Sequence, residues 1–190
     1  GFTASSIVGW DIRAVFSAGT MSAITVDGAT GAGMQFLGGG GIVVTHSDVM
    51  NGDSTGIGVI GGHDVTVELS SVHDNGGDGT SCSSGGYNVT YRYTDIEDNG
   101  NILTTDSGDG GTAHDTCYNI NYDRCLLRGN TASGVAMIQT SQGTIDSCRF
   151  IRNGGNWEAI SGLDQIRGGA YFSITGANPA TGTGWTLKYN

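Results

Sequence analysis

Short blocks of alternating apolar and polar residues recur along this chain about every 23 to 24 residues. In the block DVTVELSSVHDNG, Val65, Val67 and Leu69 alternate with polar residues, which predicts a half-buried strand. The phase then shifts, so that Ser70 and Val72 become the inward pair before a polar turn. A second apolar strand begins after the turn, and each block therefore predicts about three strand segments separated by bends.

The last apolar residue before each turn marks the period of the repeat. These anchors are Val49, Val72, Ile96, Leu127 and Phe150, at successive steps of 23, 24, 31 and 23 residues. A fainter copy places Ile24 in the same slot, 25 residues before Val49. A fixed period in this range indicates stacked units, because one unit alone cannot bury its apolar face.

Alignment of the copies predicts columns of residues that stack from coil to coil. One inward column contains Ser47, Ser70, Thr94, Cys125 and Cys148. A turn column contains Asn75, Asn99, Asn130 and Asn153, and the following strand contributes Phe36, Val59, Cys82 and Met137 as inward residues. Asparagine suits the turn column because it tolerates left-handed backbone geometry and can hydrogen-bond to its neighbours.

These columns predict an all-β fold, a right-handed parallel β-helix of about six to seven coils, since parallel crossovers are nearly always right-handed. The 190-residue chain, with 35 glycines and one proline, fits one domain of short strands and tight turns. Residues 1–20 are predicted to form an N-terminal cap or first coil. The β-helix follows over 21–175, and 176–190 form a C-terminal cap or end strand.

The repeat apolar-x-apolar-x-x-Cys/Ser-x-Phe/Ile-x-x-Asn-Gly resembles the right-handed parallel β-helix repeats of pectate lyases, polygalacturonases, alginate epimerases and phage tailspikes. The stretch ITVDGATGAGMQFLGG is similar to early coils of tailspikes and of extracellular polysaccharide-processing β-helices. The resemblance implies the fold and a role in carbohydrate recognition or processing. The catalytic motifs of those enzymes have no match in this chain, so the resemblance assigns no catalytic residue.

Charge limits the partners of the chain. Its net charge is −10 and it has only eight lysines and arginines, so a nucleic acid backbone would be repelled. No apolar run reaches the length of a membrane helix, which argues against membrane insertion. The low charge and the abundance of Ser, Thr, Asn and Gly predict an extracellular location, and the resemblance to tailspikes implies a virion surface or a cell surface. Open coil ends need covering, by caps or by a homo-oligomer such as a trimer or an end-to-end stack.

One outward column contains Thr45, Glu68, Arg92, Asp123 and Asp146. Arg92 is placed to pair with Glu68 and Asp123, while Asp123 and Asp146 are like charges that need a cation, a proton or Arg124 beside them. Two carboxylates on adjacent strands also suit the acid and nucleophile of a retaining glycosidase. The alternative is a pair of solvated aspartates. Glu68, Arg92 and Arg124 are the predicted substrate-binding residues of this face.

The long 31-residue step adds about seven residues within NGNILTTDSGDGGTAHDTCYN, where we expect a projecting loop. This loop would carry Asp106, Asp109, His114 and Asp115, and the last two are a candidate acid/base pair. Asp53 and Asp78 align with Asp109 in similar Gly-rich turns, so these aspartates, with Asp106, are candidate calcium ligands. The alternative is a solvated loop. No cofactor other than calcium is predicted.

The four cysteines leave two interpretations open. Cys125 and Cys148 occupy the same inward slot one coil apart and are either a disulfide or small apolar fillers. Cys82 and Cys117 come from neighbouring coils but are offset by about four positions, so that a bridge requires the turn to fold back.

Three functions are compatible with these features. The first is an extracellular carbohydrate-recognising module, of the tailspike or host-attachment kind, that binds a polysaccharide or a cell-surface glycan. The second is a polysaccharide lyase, hydrolase or epimerase that uses Asp123 and Asp146 or His114 and Asp115. The third is a structural surface or filament subunit whose coil ends mediate assembly.

Overall fold

The structure is a computed structural model. It describes residues 7–8, 12–15, 18–100, 108–138, 140–154, 170–173 and 185–188. For the three segments 7–8, 170–173 and 185–188 only the backbone is described. Asp106 therefore lies outside the described residues.

Twenty-one strands within the described residues form three sheets of seven strands each. Sheet B contains β1 (Ile7–Val8), β4 (Thr25–Asp27), β7 (Asp48–Met50), β10 (Ser71–His73), β13 (Asp95–Glu97), β16 (Leu126–Arg128) and β19 (Arg149–Ile151). Sheet C contains β2 (Ile12–Val15), β5 (Met34–Leu37), β8 (Ile57–Ile60), β11 (Thr80–Ser83), β14 (Gly111–Ala113), β17 (Val135–Ile138) and β20 (Ala170–Ser173). Sheet A contains β3 (Gly19–Ser22), β6 (Gly40–Thr45), β9 (His63–Glu68), β12 (Tyr87–Arg92), β15 (Tyr118–Asp123), β18 (Ser141–Asp146) and β21 (Trp185–Lys188).

Each strand pairs in parallel with the strand three places along the chain, so every coil adds one strand to each sheet. This arrangement is a parallel β-solenoid with about six turns, which confirms the predicted fold class. The predicted anchors also pair as expected, because Val49, Val72 and Ile96 are register partners in sheet B. Within the described part of the chain, no helix has the length and apolarity needed to cross a membrane.

One predicted slot, that of the buried Ile24, and one predicted inward position, that of Leu69, are wrong. Val26, not Ile24, pairs with Val49, and Ile24 takes the slot of Ser47, whose Oγ accepts a hydrogen bond from the Ile24 N–H at 3.3 Å. Leu69 is 49% exposed and has a φ of 49°, because the chain leaves sheet A at Glu68 and turns through a left-handed residue. Period-2 alternation holds only inside a strand, so it does not extend through this corner.

Side chains inside the solenoid form continuous stacks. The inward positions of sheet A are apolar or aromatic, and the rings of Tyr91 and Tyr122 stack with centroids 4.9 Å apart. Sheet C contributes the predicted column Phe36, Val59, Cys82 and Met137, which is buried throughout, and Ala14 and Ala113 belong to the same column. Since the inward residues fill the core, the alternate residues of each strand form the outer surface.

The predicted turn column is an asparagine ladder. The Nδ2 of Asn75 donates to Asn99 Oδ1 at 3.0 Å, Asn99 Nδ2 to Asn130 Oδ1 at 3.0 Å, and Asn130 Nδ2 to Asn153 Oδ1 at 2.9 Å. Each amide also donates to a carbonyl of the preceding coil, as Asn99 does to Val72 at 3.0 Å. All four side chains are buried, so these bonds fix the turn of each coil over the next.

Gly100 and Gly108, which flank residues 101–107, lie against each other. A Cβ added at Gly100 would lie 2.6 Å from the Cα of Gly108, so the coil closes between these two glycines. Glycine is required here because the φ of Gly100 is +99° and that of Gly108 is +59°. The insertion therefore begins and ends at one point, and residues from Gly108 onward follow the regular coil.

The substitution Asn99→Ala is expected to destabilise the protein by about 2–4 kcal/mol, because it leaves the buried backbone N–H and amide of Asn75 and the carbonyl of Val72 without this partner. Denaturant unfolding followed by circular dichroism measures the loss. Asn121→Ala is the matched control, since Asn121 lies on the outer face of sheet A, and it should cost about 0.5 kcal/mol or less. Equal losses in the two variants would contradict a structural role for the ladder.

Candidate functional site

The predicted charged column lies at the carboxyl ends of the sheet A strands. Register pairing places Thr45 beside Glu68, Glu68 beside Arg92, Arg92 beside Asp123 and Asp123 beside Asp146. Of the two pairings expected for Arg92, the structure forms the one with Glu68, with 2.6 Å between Nε and Oε2. Both side chains are partly exposed, so this ion pair contributes little to stability.

Arg124 compensates one of the two adjacent aspartates. Its Nη1 lies 3.2 Å from Asp123 Oδ2 and donates to the hydroxyl of Tyr93 at 2.6 Å, while its guanidinium lies 5.3 Å from the centre of the Tyr93 ring. Asp146 accepts a hydrogen bond from Ser147 Oγ at 2.8 Å. The carboxylates of Asp123 and Asp146 are thus held on adjacent strands by different partners.

His114 and Asp115 do not join this column. They lie in the corner between sheet C and sheet A, where His114 Nδ1 is 2.8 Å from Asp115 Oδ2. The strand Tyr118–Asp123 separates them from Asp123 by about 17 Å along sheet A. The prediction that they belong to the projecting loop is wrong, because the insertion closes at Gly108, upstream of both residues.

The acidic turns are only partly aligned. Asp78 and Asp109 share a slot, and Asp109 N–H donates to Asp78 Oδ1 at 2.9 Å. Asp53 does not share this slot. On its coil Gly52 takes the position of the ladder asparagines, and its N–H donates to Asn75 Oδ1. Asp53 therefore takes the next position, which is equivalent to that of Gly76.

Asp109 is also not in the loop, but buried in the coil, where its carboxylate accepts a hydrogen bond from Ser133. No group of three or more His, Cys, Asp or Glu side chains in the described ranges could hold a metal ion. Calcium binding, which also involves Asp106, stays a prediction.

A second column, which sequence reasoning missed, lies at the amino ends of the sheet A strands. His63, Tyr87 and Tyr118 are register partners, and their rings stack in parallel with centroids 4.9 Å apart in both steps. We call these three residues the aromatic ladder. The interplanar angles are 10° and 2°, and Tyr118 is 40% exposed. Partly exposed aromatic rings in a row are unusual on a surface and suit ligand contact.

A polar column, which we call the amide ladder, lies beside the aromatic ladder and consists of Asp64, Asn88 and Asn119. Asn88 Nδ2 donates to Asp64 Oδ1 at 2.8 Å, and Asn119 Nδ2 donates to Asn88 Oδ1 at 2.8 Å. All three have φ between 51° and 55°, a conformation that Asn and Asp tolerate. The Asn88 amide and the neighbouring His63 imidazole hold the pKa of Asp64 below its ordinary value, so Asp64 is anionic.

The sequence does contain the signal for these ladders. The dipeptides His63-Asp64, Tyr87-Asn88 and Tyr118-Asn119 each lie nine residues before an anchor. The left-handed second residue breaks the alternation, so the period-2 pattern becomes visible only from the third residue of each strand.

The outer face of sheet A therefore has two rims. The amino rim holds the aromatic and amide ladders, and the carboxyl rim holds the charged column. Between them runs an uncharged row of outward residues: Val43, Thr66, Thr90, Asn121 and Thr144. The described charged side chains of this face are four carboxylates and two guanidinium groups: Asp64, Glu68, Asp123, Asp146, Arg92 and Arg124.

With this geometry established, comparison with known proteins identifies the family. Residues 11–112, more than half of the chain, match the family model described as the right handed beta helix region. The chain belongs to the right-handed β-helix family. Nothing among the curated proteins matches this β-helix chain.

The β-helix chain is also similar to a solved structure, the crystal structure of pectate lyase Pel9A. The sequence identity is 13% and the TM-score 0.43. The similarity covers 96% of this chain and 58% of that chain. The chain thus spans little more than half the length of the lyase. β-Helix folds carry many activities, so the function has to be argued from the site.

Sheet B of this β-helix protein carries a histidine between two carboxylates. His73 Nε2 lies 3.0 Å from Asp48 Oδ1, and His73 Nδ1 lies 2.7 Å from Asp74 Oδ2. Burial lowers the pKa of His73, but the hydrogen bonds and charges of Asp74 and Asp48 together outweigh burial and raise it above its ordinary value. The charged form of His73 is therefore favoured in the folded protein.

A histidine with a raised pKa stabilises the fold below its unfolded pKa of about 6.5 and loses that contribution as the pH rises through the folded pKa. The stability advantage of the parent over His73→Gln should therefore decrease between about pH 6 and pH 8. Urea unfolding of both proteins across this pH range measures the difference in unfolding free energy. The contributions of the other histidines cancel in this difference, because both proteins contain them. An advantage that grows with pH would contradict the assignment.

Proposed function

We propose that the outer face of sheet A binds a carbohydrate polymer and that the aromatic ladder is its main contact. The single observation that carries this proposal is the aromatic ladder beside the amide ladder on one exposed rim. Sugar rings have apolar C–H faces and a polar hydroxyl edge. A rim with aromatic surface and amide groups side by side offers a partner to both.

The open end of the stack is the best position for a sugar ring. Within the described residues the stack ends at Tyr118, whose register partner on the next coil is the small residue Ser141. At the other end a Cβ added at Gly40 would lie 2.3 Å from the His63 ring, so that ring already packs on backbone. A sugar stacked on Tyr118 would continue the ladder above Ser141.

Polar groups beside Tyr118 can meet the sugar hydroxyls. Gln142 is exposed and occupies, on the next coil, the position equivalent to that of Asn119 in the amide ladder. Its φ is 60°. Ser141 supplies a hydroxyl directly beside Tyr118 in register. Amides and hydroxyls both donate and accept, which matches the mixed donor and acceptor character of a sugar.

Charge favours a neutral glycan. Carboxylates outnumber guanidinium groups on the described part of this face, and the whole chain has a net charge of −10. An acidic polysaccharide would be repelled at the amino rim, where Asp64 is anionic. Glu68, Arg92 and Arg124 form a second contact line about 17 Å away, available to a second polymer chain. A binding role of this kind fits an extracellular or surface-attached protein of the tailspike or host-attachment type, with a polysaccharide or cell-surface glycan as partner.

Tyr118→Ala should weaken binding of a neutral polysaccharide by tenfold or more, because it removes the exposed stacking face of the ladder. Binding is measured by isothermal titration calorimetry with soluble β-glucan, xyloglucan and galactomannan, with polygalacturonate as the anionic comparison. Binding of the neutral polymer should vary little with salt concentration.

Two variants serve as controls for this measurement. Tyr118→Phe keeps the ring and should bind within about twofold of the parent, and Tyr93→Ala removes a similarly exposed tyrosine from the other rim and should do the same. If Tyr118→Ala binds every neutral polymer as the parent does, or if only polygalacturonate binds, the proposed site is wrong.

A second candidate function is polysaccharide cleavage at Asp123 and Asp146. The observation that favours it is their direct register pairing, which sets two carboxylates on strands about 4.8 Å apart. We infer binding without catalysis, because no acid/base partner from His114 and Asp115 reaches this rim.

Asp123→Ala and Asp146→Ala should therefore change polymer binding by no more than a few-fold and abolish no turnover. Reducing-sugar release and absorbance of unsaturated products are measured for the parent and both variants. Depolymerisation by the parent that falls by a hundredfold or more in either variant would establish the enzyme instead.

A further inference from the structure

Two buried cysteines from successive coils are in direct contact. Cys82 is an inward residue of β11, and its Sγ donates a hydrogen bond to Cys117 Sγ at 3.0 Å. The two residues are 1% and 0% exposed. Cys117 directly precedes the sheet A strand that begins with Tyr118, and Cys82 lies near the end of the sheet C strand that comes before Tyr87.

A folded-back turn creates this contact. The Cα partner of Cys82 on the next coil is Ala113, four residues before Cys117. Asp115 and Thr116 both have positive φ, of 57° and 65°, and the Cys117 N–H donates to the His114 carbonyl at 3.4 Å. Two consecutive left-handed residues closed by such a bond are the pattern of a type I′ turn, which reverses the chain and returns Cys117 to Cys82.

The other two cysteines also interact with each other, since a hydrogen bond with Cys148 is the largest cause that raises the pKa of Cys125, but each of these thiols also contacts a backbone carbonyl. Cys125 Sγ lies 3.4 Å from the Tyr91 carbonyl and 3.6 Å from the Asp123 carbonyl, and Cys148 Sγ lies 3.4 Å from the Asp146 carbonyl. Ser47 and Ser70 occupy the same column and donate to the same carbonyl two residues upstream. Cys125 and Cys148 therefore occupy positions that take a small hydrogen-bond donor, and a thiol meets this requirement without being oxidised.

We propose that Cys82 and Cys117 form a disulfide that joins consecutive coils, whereas Cys125 and Cys148 remain thiols. The oxidant is a low-molecular-weight disulfide such as glutathione disulfide, which acts while the coils assemble. The Cys117 thiolate attacks one sulfur of glutathione disulfide and releases one glutathione thiolate. The released glutathione thiolate takes the proton of the Cys82 thiol. The Cys82 thiolate then attacks the Cys117 sulfur of the mixed disulfide and releases the second glutathione as a thiolate, which takes back from solvent the proton that Cys117 lost. Two protein thiols and one glutathione disulfide thus become one protein disulfide and two glutathiones.

The surroundings of Cys117 support its role as the attacking thiolate. The thiol of Cys82, followed by backbone N–H groups of Gly86, Gly85 and His114, lowers the pKa of Cys117. The pKa of Cys82 is raised by its contact with Cys117 and by burial. The thiol with the lowered pKa ionises first, and its thiolate is the nucleophile from which a disulfide forms through a mixed intermediate. This inference does not depend on what the protein binds.

The experiment counts free thiols in the full chain after refolding with a glutathione redox buffer. The protein is unfolded in guanidinium with N-ethylmaleimide, and intact mass and peptide mapping identify the alkylated cysteines. Two alkylated cysteines, Cys125 and Cys148, are expected, and four after prior reduction. Four alkylated cysteines without reduction, or a disulfide that contains Cys125 or Cys148, would overturn the proposal.

Paired variants separate this disulfide from a general effect of oxidation. The bridge closes a span of 35 residues, so the oxidised parent should melt roughly 6–15 °C above its reduced form. Cys125→Ser/Cys148→Ser should retain this difference, because serine is native to that column. Cys82→Ala/Cys117→Ala should lose it. A difference that persists in the second variant would contradict the assignment, and thiol counting on the parent decides the matter even if that variant does not fold.

Discussion

The asparagine ladder is the constraint on which the rest of the structure depends. Each buried amide donates to a carbonyl and an amide group of the two adjacent coils, or to one of them, so successive coils have to follow the same path through that turn. Extra residues can be accommodated only where their two ends meet, which is what Gly100 and Gly108 allow. The ladder therefore keeps the register across a step of 31 residues as well as across steps of 23 and 24.

Because of this register, residues at equivalent positions of successive coils form columns on the surface. A side chain at one outward position has its equivalents about 4.8 Å away on both adjacent coils. One favourable residue type is then repeated at a spacing that permits ring stacking, as in Tyr87 and Tyr118, or amide hydrogen bonds, as in Asn88 and Asn119. Such columns suit a polymeric ligand, because both partners repeat along one axis.

The hydrophobic pattern predicted the fold, the asparagine column and the charged column, because all three are set by a fixed count from a buried anchor. The pattern gave wrong positions where the number of residues per coil changes, and in turns whose residues have no distinctive side chains. Asp53 was misplaced because the turns that contain it and Asp78 are nearly all glycine and serine, so several alignments are equivalent. Asp109 and His114 were assigned to the loop because the period shows how many residues are inserted but not where the chain closes; that point is decided by the backbone contact of Gly100 with Gly108.

Left-handed residues explain why the outer face of sheet A has chemistry at both rims. Asp64, Asn88 and Asn119 adopt positive φ at the second position of their strands, and Leu69, Tyr93 and Arg124 adopt it just after the strands end. Asn and Asp accept this conformation readily, but for leucine, tyrosine and arginine it costs about 1–2 kcal/mol each. The repeated cost is tolerated because every coil must turn the same corner to stay in register with the ladder. The strained positions thus lie beside the aromatic ladder and the charged column, at the two places where side chains leave the regular alternation of the sheet and become available to a ligand.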